Sequence, residues 1–320
     1  MLALKLRVED LASLRFACSP LQETVISLWT WQFPVRYAIH QPLVRSSSHL
    51  LKMLDWPLLQ ALVGPGGFIA DFLTPPPRSP RPEFKEELET VRATDHALVL
   101  TGLLGASGGR PLHPRLRGVH ADPEALVAEI CSALGSYWEL VLEPHWPRLS
   151  AILENDIMYR AKQMVASGAA GLFRDIDPRL VWTPGELLID EPDVETAVEV
   201  DGRGLTFTPS LFCNRALTLV DLSLPPRICY PARGRATAWN PEFAESRKAL
   251  SDLLGLTRAM ILEALVEPAS TTELSVRLGL SVGTVSQHLG VLYRAGLADR
   301  SRVGHSVIYT RTRMGDRLTQ

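Results

Sequence analysis

The sequence predicts a mainly α-helical chain with a small antiparallel β region, closed at its C-terminal end by a unit of three helices and a β-hairpin. Three observations carry that prediction. Apolar residues recur at helical spacing, between capping and breaking residues, over most of the first half of the chain; strand-like alternation is confined to a stretch near 186–230; and beyond Ser246 the order is helix, capped helix, glycine turn, capped helix, basic hairpin.

At 320 residues the chain has room for about two domains. Hydrophobic residues at 46% and charged residues at 21% describe an ordinary globular protein and exclude collagen-like and wholly disordered classes. No stretch offers the roughly 18 uninterrupted apolar residues of a membrane helix. The opening Met1-Leu-Ala-Leu-Lys-Leu-Arg7 sets charges where a signal peptide is apolar. A cytoplasmic protein without a membrane partner is therefore expected. Cys18, Cys131, Cys213 and Cys229 have neither zinc-like spacing nor a Cys-x-x-Cys pair, so buried reduced thiols are expected and no metal or other cofactor is.

The first element is a short alternating strand from Leu2. Ser19-Pro20-Leu-Gln22-Glu23 then reads as a helix start, with Ser19 as cap and Pro20 at the first helical position, and the helix is expected to reach Gln32 before Phe33-Pro34. Helical spacing returns from Leu50 to Ala61 and stops at Gly64-Pro-Gly-Gly67. Proline density from Thr74 to Pro82 predicts a stiff extended connector inside one domain. Further helices are expected over Glu83–Leu104, from Asp122-Pro123 to Leu142, and from Pro147 to Ser167 ahead of Gly168. Strands follow at 186–190, 196–200 and 205–208, with Asp201-Gly202 supplying the positive φ of a tight hairpin, and the β region ends near Tyr230.

Charge separates the two parts. Ser246–Gln320 carries 10 Lys and Arg against 6 Asp and Glu, a net +4, which leaves Met1–Glu245 at −6. Only the C-terminal part suits a polyanion. Two domains are thus expected: 1–245, α-rich with the β segment and serving dimerisation or effector sensing, and 246–320.

In the second domain Leu250, Leu253, Leu254, Ala259, Ile261, Leu262 and Leu265 make one amphipathic helix ended by Pro268. Ser270-Thr271-Thr272-Glu273 caps a second helix, Gly279-Leu280 turns the chain, and Ser281 caps a third, Val282–Ala295, with Gly296 as its left-handed exit. That order is a helix-turn-helix. On the third helix Val285, Leu289 and Leu292 form the apolar back, while Gly283, Thr284, Ser286, Gln287 and Gly290 form a small, uncharged, hydrogen-bonding front. Major-groove reading needs such a front, because small residues allow close approach and amide or hydroxyl groups address base edges. Residues 297–303 and 306–311 then read as two strands around Gly304-His305, a β-wing whose arginines suit phosphates or a narrow minor groove. The candidate DNA-binding residues are Thr271, Thr272, Ser281, Thr284, Ser286, Gln287, His288, Arg294, Arg300, Arg302, His305 and Arg311.

Residues 250–313 resemble the winged helix-turn-helix domain of ArsR-type bacterial transcriptional regulators. The resemblance rests on Thr271-Thr-Glu-Leu-Ser-Val-Arg-Leu-Gly-Leu-Ser281, Val285-Ser-Gln-His-Leu-Gly-Val-Leu-Tyr-Arg-Ala-Gly-Leu297 and Arg302-Val-Gly-His-Ser-Val-Ile-Tyr309. It implies a homodimer that sets two recognition helices in successive major grooves of double-stranded DNA, and repression released by an effector, here a possible small molecule. Metal-sensing members carry a cysteine pair in or beside the second helix; Thr271–Leu280 contains no cysteine. The N-terminal part is similar to that of large actinobacterial ArsR-like regulators at Phe16-Ala-Cys-Ser-Pro-Leu-Gln-Glu23, Tyr159-Arg160 and Tyr230-Pro-Ala-Arg-Gly234.

All seven tryptophans, Trp29 to Trp239, precede the second domain, where they serve a helical core or an aromatic-lined pocket. His113, His120 and His145 lack metal-site spacing. With no nucleophile elbow, phosphate-cradling loop or His-Glu-x-x-His, an enzyme is not expected. The alternatives are a winged-helix protein-interaction module and an effector-modifying enzyme fused to a DNA-binding domain.

Overall fold

The structure is a computed structural model that describes residues 1–190, 195–219, 225–239, 250–303 and 306–319. Its contacts divide the chain into two units, Met1–Trp239 and Asn240–Gln320.

The helices of the first unit are α1 (Val8–Ala12), α2 (Pro20–Gln32), α3 (Gln41–Ser47), α4 (Trp56–Ala61), α5 (Phe84–Arg92), α6 (His96–Ala106), α7 (Pro123–Tyr137) and α8 (Trp146–Phe173). α2 forms where the cap chemistry placed it: the Gln22 amide donates to Ser19 Oγ at 2.9 Å and Pro20 opens the first turn. α2 is buried along nearly its whole length, with Leu21, Val25 and Leu28 in one core with Leu88, Val91, Ile130 and Leu134 from α5 and α7. Each such side chain contributes about 1.5–3 kcal/mol by leaving water.

Local chemistry divides two of the expected helices. Asp55 accepts the Leu58 amide at 3.2 Å and restarts the chain as α4, so 50–61 is a 3₁₀ turn followed by a short α-helix. Asp95 accepts the Ala97 amide at 2.8 Å and separates α5 from α6 within the expected 83–104 helix. Aspartates that cap from inside an apolar pattern went unread in both places. α7 passes through a π-helical turn, Trp138–Leu142, and α8 is interrupted at Gly168 (φ +65°) with a further turn reaching Phe173. Pro123–Phe173 is long and apolar enough to cross a membrane by length and composition, but 56% of its most apolar window is buried within the unit, as in a core helix.

The β region differs from expectation. Among the described residues, two four-stranded sheets form, ordered β3-β4-β1-β5 and β2-β6-β8-β7, from β1 (Leu2–Lys5), β2 (Arg15–Phe16), β3 (Leu180–Thr183), β4 (Glu186–Ile189), β5 (Thr196–Glu199), β6 (Thr206–Ser210), β7 (Leu217–Leu219) and β8 (Arg227–Pro231). Both are mixed rather than antiparallel: β1 pairs parallel with β5, and β6 pairs parallel with β2 and β8. The helices between β2 and β6 supply the long return that parallel pairing requires. Asp201 and Gly202 do take positive φ (+56° and +79°), yet they join strands of different sheets and make no hairpin.

The proline-rich connector lies within this unit. Extended proline segments leave carbonyls without internal partners. Here the buried Arg227 donates to the Thr74 and Pro75 carbonyls, and the Cys18 amide donates to Pro80 O at 3.0 Å. The segments that carry the N-terminal resemblance also meet partners. Asp156 accepts the Tyr230 hydroxyl at 2.6 Å and the Arg233 amide at 3.0 Å. Arg160 and Arg233 both bond Asp175, and Arg233 stacks on Tyr159 at 3.7 Å. Glu23 accepts the Leu211 amide at 2.8 Å. The four cysteines are buried thiols.

Candidate nucleic-acid interface

The second unit builds its core from the apolar stripes seen in the sequence. Ile261, Leu262 and Leu265 meet Leu274, Val285, Leu289 and Leu292, with Ala269, Leu297 and Tyr309 closing the base. The leading helix is not continuous: Gly255, at φ +83°, interrupts it after Leu254, and α9 runs Leu256–Ala264. The break leaves Leu253, expected on the buried stripe, 70% exposed, and Leu256 beside it 66% exposed.

α10 (Thr271–Leu278) begins with a reciprocal capping box. The Glu273 amide donates to Ser270 Oγ at 3.2 Å and the Ser270 amide donates to Glu273 Oε2 at 2.6 Å, which holds the Glu273 carboxyl below its ordinary range. Gly279, at φ +63°, ends the helix in the left-handed region, and the Leu280 amide returns to Ser275 O at 3.0 Å. Ser281 then starts α11 (Val282–Arg294) by accepting the Thr284 amide at 3.1 Å, and the Ser281 and Thr284 hydroxyls pair at 2.8 Å. Because Val285, Leu289 and Leu292 are buried, the opposite face of α11 is turned outward. Gly283, Ser286 and Gln287 are exposed on it, and Thr284, His288 and Gly290 are half-buried.

The wing is β10 (Ala298–Val303) paired antiparallel with β11 (Ser306–Arg311). Val303 faces Ser306, so two residues connect the strands; His305, a candidate contact, lies outside the described residues. A third strand, β9 (Ala269–Ser270), pairs with β11 through Tyr309 and Ile308 and closes a three-stranded sheet. Read as a cap alone, that dipeptide gave no strand signal of its own. Alternation along β10 puts Ala298, Arg300 and Arg302 on one face. Arg300 marks that face as the helix side, because its guanidinium lies over the Tyr293 ring of α11 at 4.5 Å.

The expected residues therefore group unevenly. Thr284, Ser286, Gln287 and His288 lie on α11, with Ser281 capping it and Arg294 exposed at its end; Thr271 and Thr272 occupy the first turn of α10; Arg300 and Arg302 are exposed on the helix-facing side of the wing. Arg311 does not join them. Its side chain is only 15% exposed, its Nε bonds Asp316 Oδ1 at 2.7 Å, and a terminal nitrogen reaches Leu262 O at 3.4 Å. Opposite Ala298 at the wing root, it ties the wing to α9 and α12 (Arg313–Leu318) instead of presenting a cation outward. Tyr293 was missed by sequence reasoning, although Ser286, Gly290 and Tyr293 follow one another at i, i+4, i+7 and so share a stripe.

A family model described as a helix-turn-helix domain matches residues 257–300, from α9 to the middle of β10. No curated protein and no solved structure matches the chain. The matched domain supports, in general terms, a DNA-binding regulator of the helix-turn-helix class.

Proposed function

We propose that the chain is a sequence-specific transcriptional repressor of the ArsR type that binds operator DNA as a homodimer and responds to an effector. Ser286 and Gln287 read base edges in the major groove. Arg300 and Arg302 contact phosphates from the wing, Arg294 does so from the end of α11, and the first turns of α10 and α11, with Thr271, Thr272, Ser281 and Thr284, offer amides and hydroxyls to the backbone. His288 is half-buried at the margin of the reading face.

The observation that carries this reading is the outward face of α11, small and uncharged, beside a wing whose arginines lie on the helix side. A helix of this kind approaches base edges closely while the guanidinium groups neutralise flanking phosphates. Support for a second copy comes from Leu253 and Leu256, apolar side chains largely exposed around the Gly255 break. The test is a mobility shift with DNA from upstream of the protein's own gene, at stated salt and with unrelated competitor DNA. A discrete complex that survives competition is expected; binding abolished by competitor overturns the sequence-specific reading. Sedimentation of that complex at two protein chains per duplex is the expected stoichiometry.

A further inference from the structure

We infer that the first unit binds a planar aromatic small molecule, uncharged or anionic, in a cavity where Gln22 and Thr218 wait for the molecule's hydrogen-bonding edge. The cavity, about 370 Å³, lies wholly within Met1–Trp239 and is of the size that small-molecule sites occupy. The inference is independent of DNA binding.

Its walls favour a flat π system. Trp29, Phe33, Tyr37 and Phe68 line it, and Trp29 and Tyr37 are already stacked on each other with centroids 6.0 Å apart. Offset and edge contacts between rings add to what area burial alone provides. Ile26, Ile69 and Leu217 complete the apolar lining. Gly66 and Gly67 form part of the wall, and Gly67 suits it twice over. Its φ is +91°, and a Cβ there would press on Phe33 at 3.3 Å and touch Trp29 at 3.5 Å. The Trp29 indole N–H donates to Gly67 O at 2.8 Å, which fixes the loop against the ring.

The polar groups specify the ligand's chemistry. Gln22 is 1% exposed, and neither the oxygen nor the nitrogen of its carboxamide has a protein partner among the described residues. The Thr218 hydroxyl is likewise buried and unpartnered among them. Buried polar groups left unmet are costly, so a donor–acceptor pair on Gln22 calls for a complementary acceptor–donor edge such as an amide or lactam. Among the described residues, Arg36 and Arg215 line the cavity with one carboxylate, Asp71, a balance that disfavours a cationic ligand.

The cavity is held open by its own frame. Ser210 Oγ accepts the Cys213 amide at 3.1 Å, Asn214 donates to Arg36 O at 3.1 Å, and Arg235 bonds both Cys213 O and Asn214 Oδ1. These bonds tie the 213–215 segment to Ser210 at the end of β6, to Arg36 beyond α2 and to Arg235 beyond β8.

Calorimetric titration of the full chain with 2-quinolinone, a bicyclic lactam, tests the inference in the absence of DNA. Saturable one-to-one binding is expected, with naphthalene, which has the rings but no amide edge, and N-methylquinolinium, which is cationic, at least tenfold weaker. Gln22→Met should erase the preference for the lactam over naphthalene. Phe68→Ala, at a position 64% exposed and therefore safe for folding, should weaken both at least threefold. No saturable binding of 2-quinolinone, equal binding of the three compounds, or binding untouched by both substitutions would overturn the proposal.

Discussion

The guanidinium of Arg300 lies 4.5 Å from the ring centroid of Tyr293, so the wing is joined to the outward helix by a contact between residues seven positions apart in the chain. A flexible cation is thereby aimed before DNA arrives. Arg300→Ala should weaken binding to every sequence and shallow the salt dependence by about one counterion unit. Tyr293→Ala keeps the charge but loses the aim, and should cost about 2- to 5-fold in affinity, the worth of roughly 0.5–1 kcal/mol in cation–π contact, with the salt slope unchanged. Affinity measured over a series of salt concentrations separates the two, and an unaltered affinity for Tyr293→Ala would remove the aiming role.

Arg302 and Arg311 provide the contrasting case. Arg302→Ala should shallow the salt slope as Arg300→Ala does. Arg311→Ala should leave the slope intact and instead destabilise the second unit, by about 1–3 kcal/mol, because the buried end of its side chain holds Asp316 and the Leu262 carbonyl. A slope change in Arg311→Ala would show that it contacts phosphate after all.

The legibility of these features followed the range of the interactions behind them. Caps at Ser19, Ser270 and Ser281, the turn at Gly279 and the left-handed exit at Gly296 were readable because donor and acceptor lie within a few residues of each other. The wing was readable for the same reason, its strands being adjacent. Pairing between distant segments was not. β1 and β5 meet in parallel across nearly the whole first unit, and Asp201-Gly202 turns the chain as its dipeptide predicts while the strands beside it enter different sheets. Within the site, the polar front of α11 followed from periodicity alone. The withdrawal of Arg311 from the wing surface depended on Asp316 and Leu262, which no hairpin pattern reveals. The cavity of the first unit joins residues from α2, the 64–69 loop and β7–β8, a constellation that exists only in three dimensions.

Burial pushes the Glu23 carboxyl up to about 7 from its ordinary 4.5, against the opposing pull of its bonds to Ser210 and Leu211. The folded value lies above the unfolded one, so the folded chain binds the extra proton. This contribution is fully present below about pH 4.5 and is lost as pH rises through about 7. Glu23→Gln, which keeps an oxygen for the Leu211 amide, should stabilise the first unit above pH 7 by on the order of 1–3 kcal/mol and change little at pH 5. Denaturant unfolding followed by tryptophan fluorescence reads it directly, since all seven tryptophans lie in that unit. Equal effects at both pH values would contradict the assignment.

Gly315 packs α12 against the wing root so closely that a Cβ would lie 2.3 Å from Leu297 O and 2.7 Å from Arg311 Cγ. The first of these is backbone and cannot rotate away. Gly315→Ala should destabilise the second unit by about 1–3 kcal/mol, seen as roughly 5- to 150-fold faster amide exchange at the buried Leu262 and Leu297. Unchanged protection at both amides would mean that α12 shifts freely.

Selection of bound duplexes from a random DNA pool, run with the full chain and with Gln287→Ala in parallel, tests sequence-specific reading by α11 most directly. The wild type should enrich a defined motif, repeated at half-sites about one helical turn apart if two chains bind, and Gln287→Ala should relax particular base pairs in it by about 1–3 kcal/mol. A pool left as random as it began, or one enriched identically by both proteins, would contradict that account.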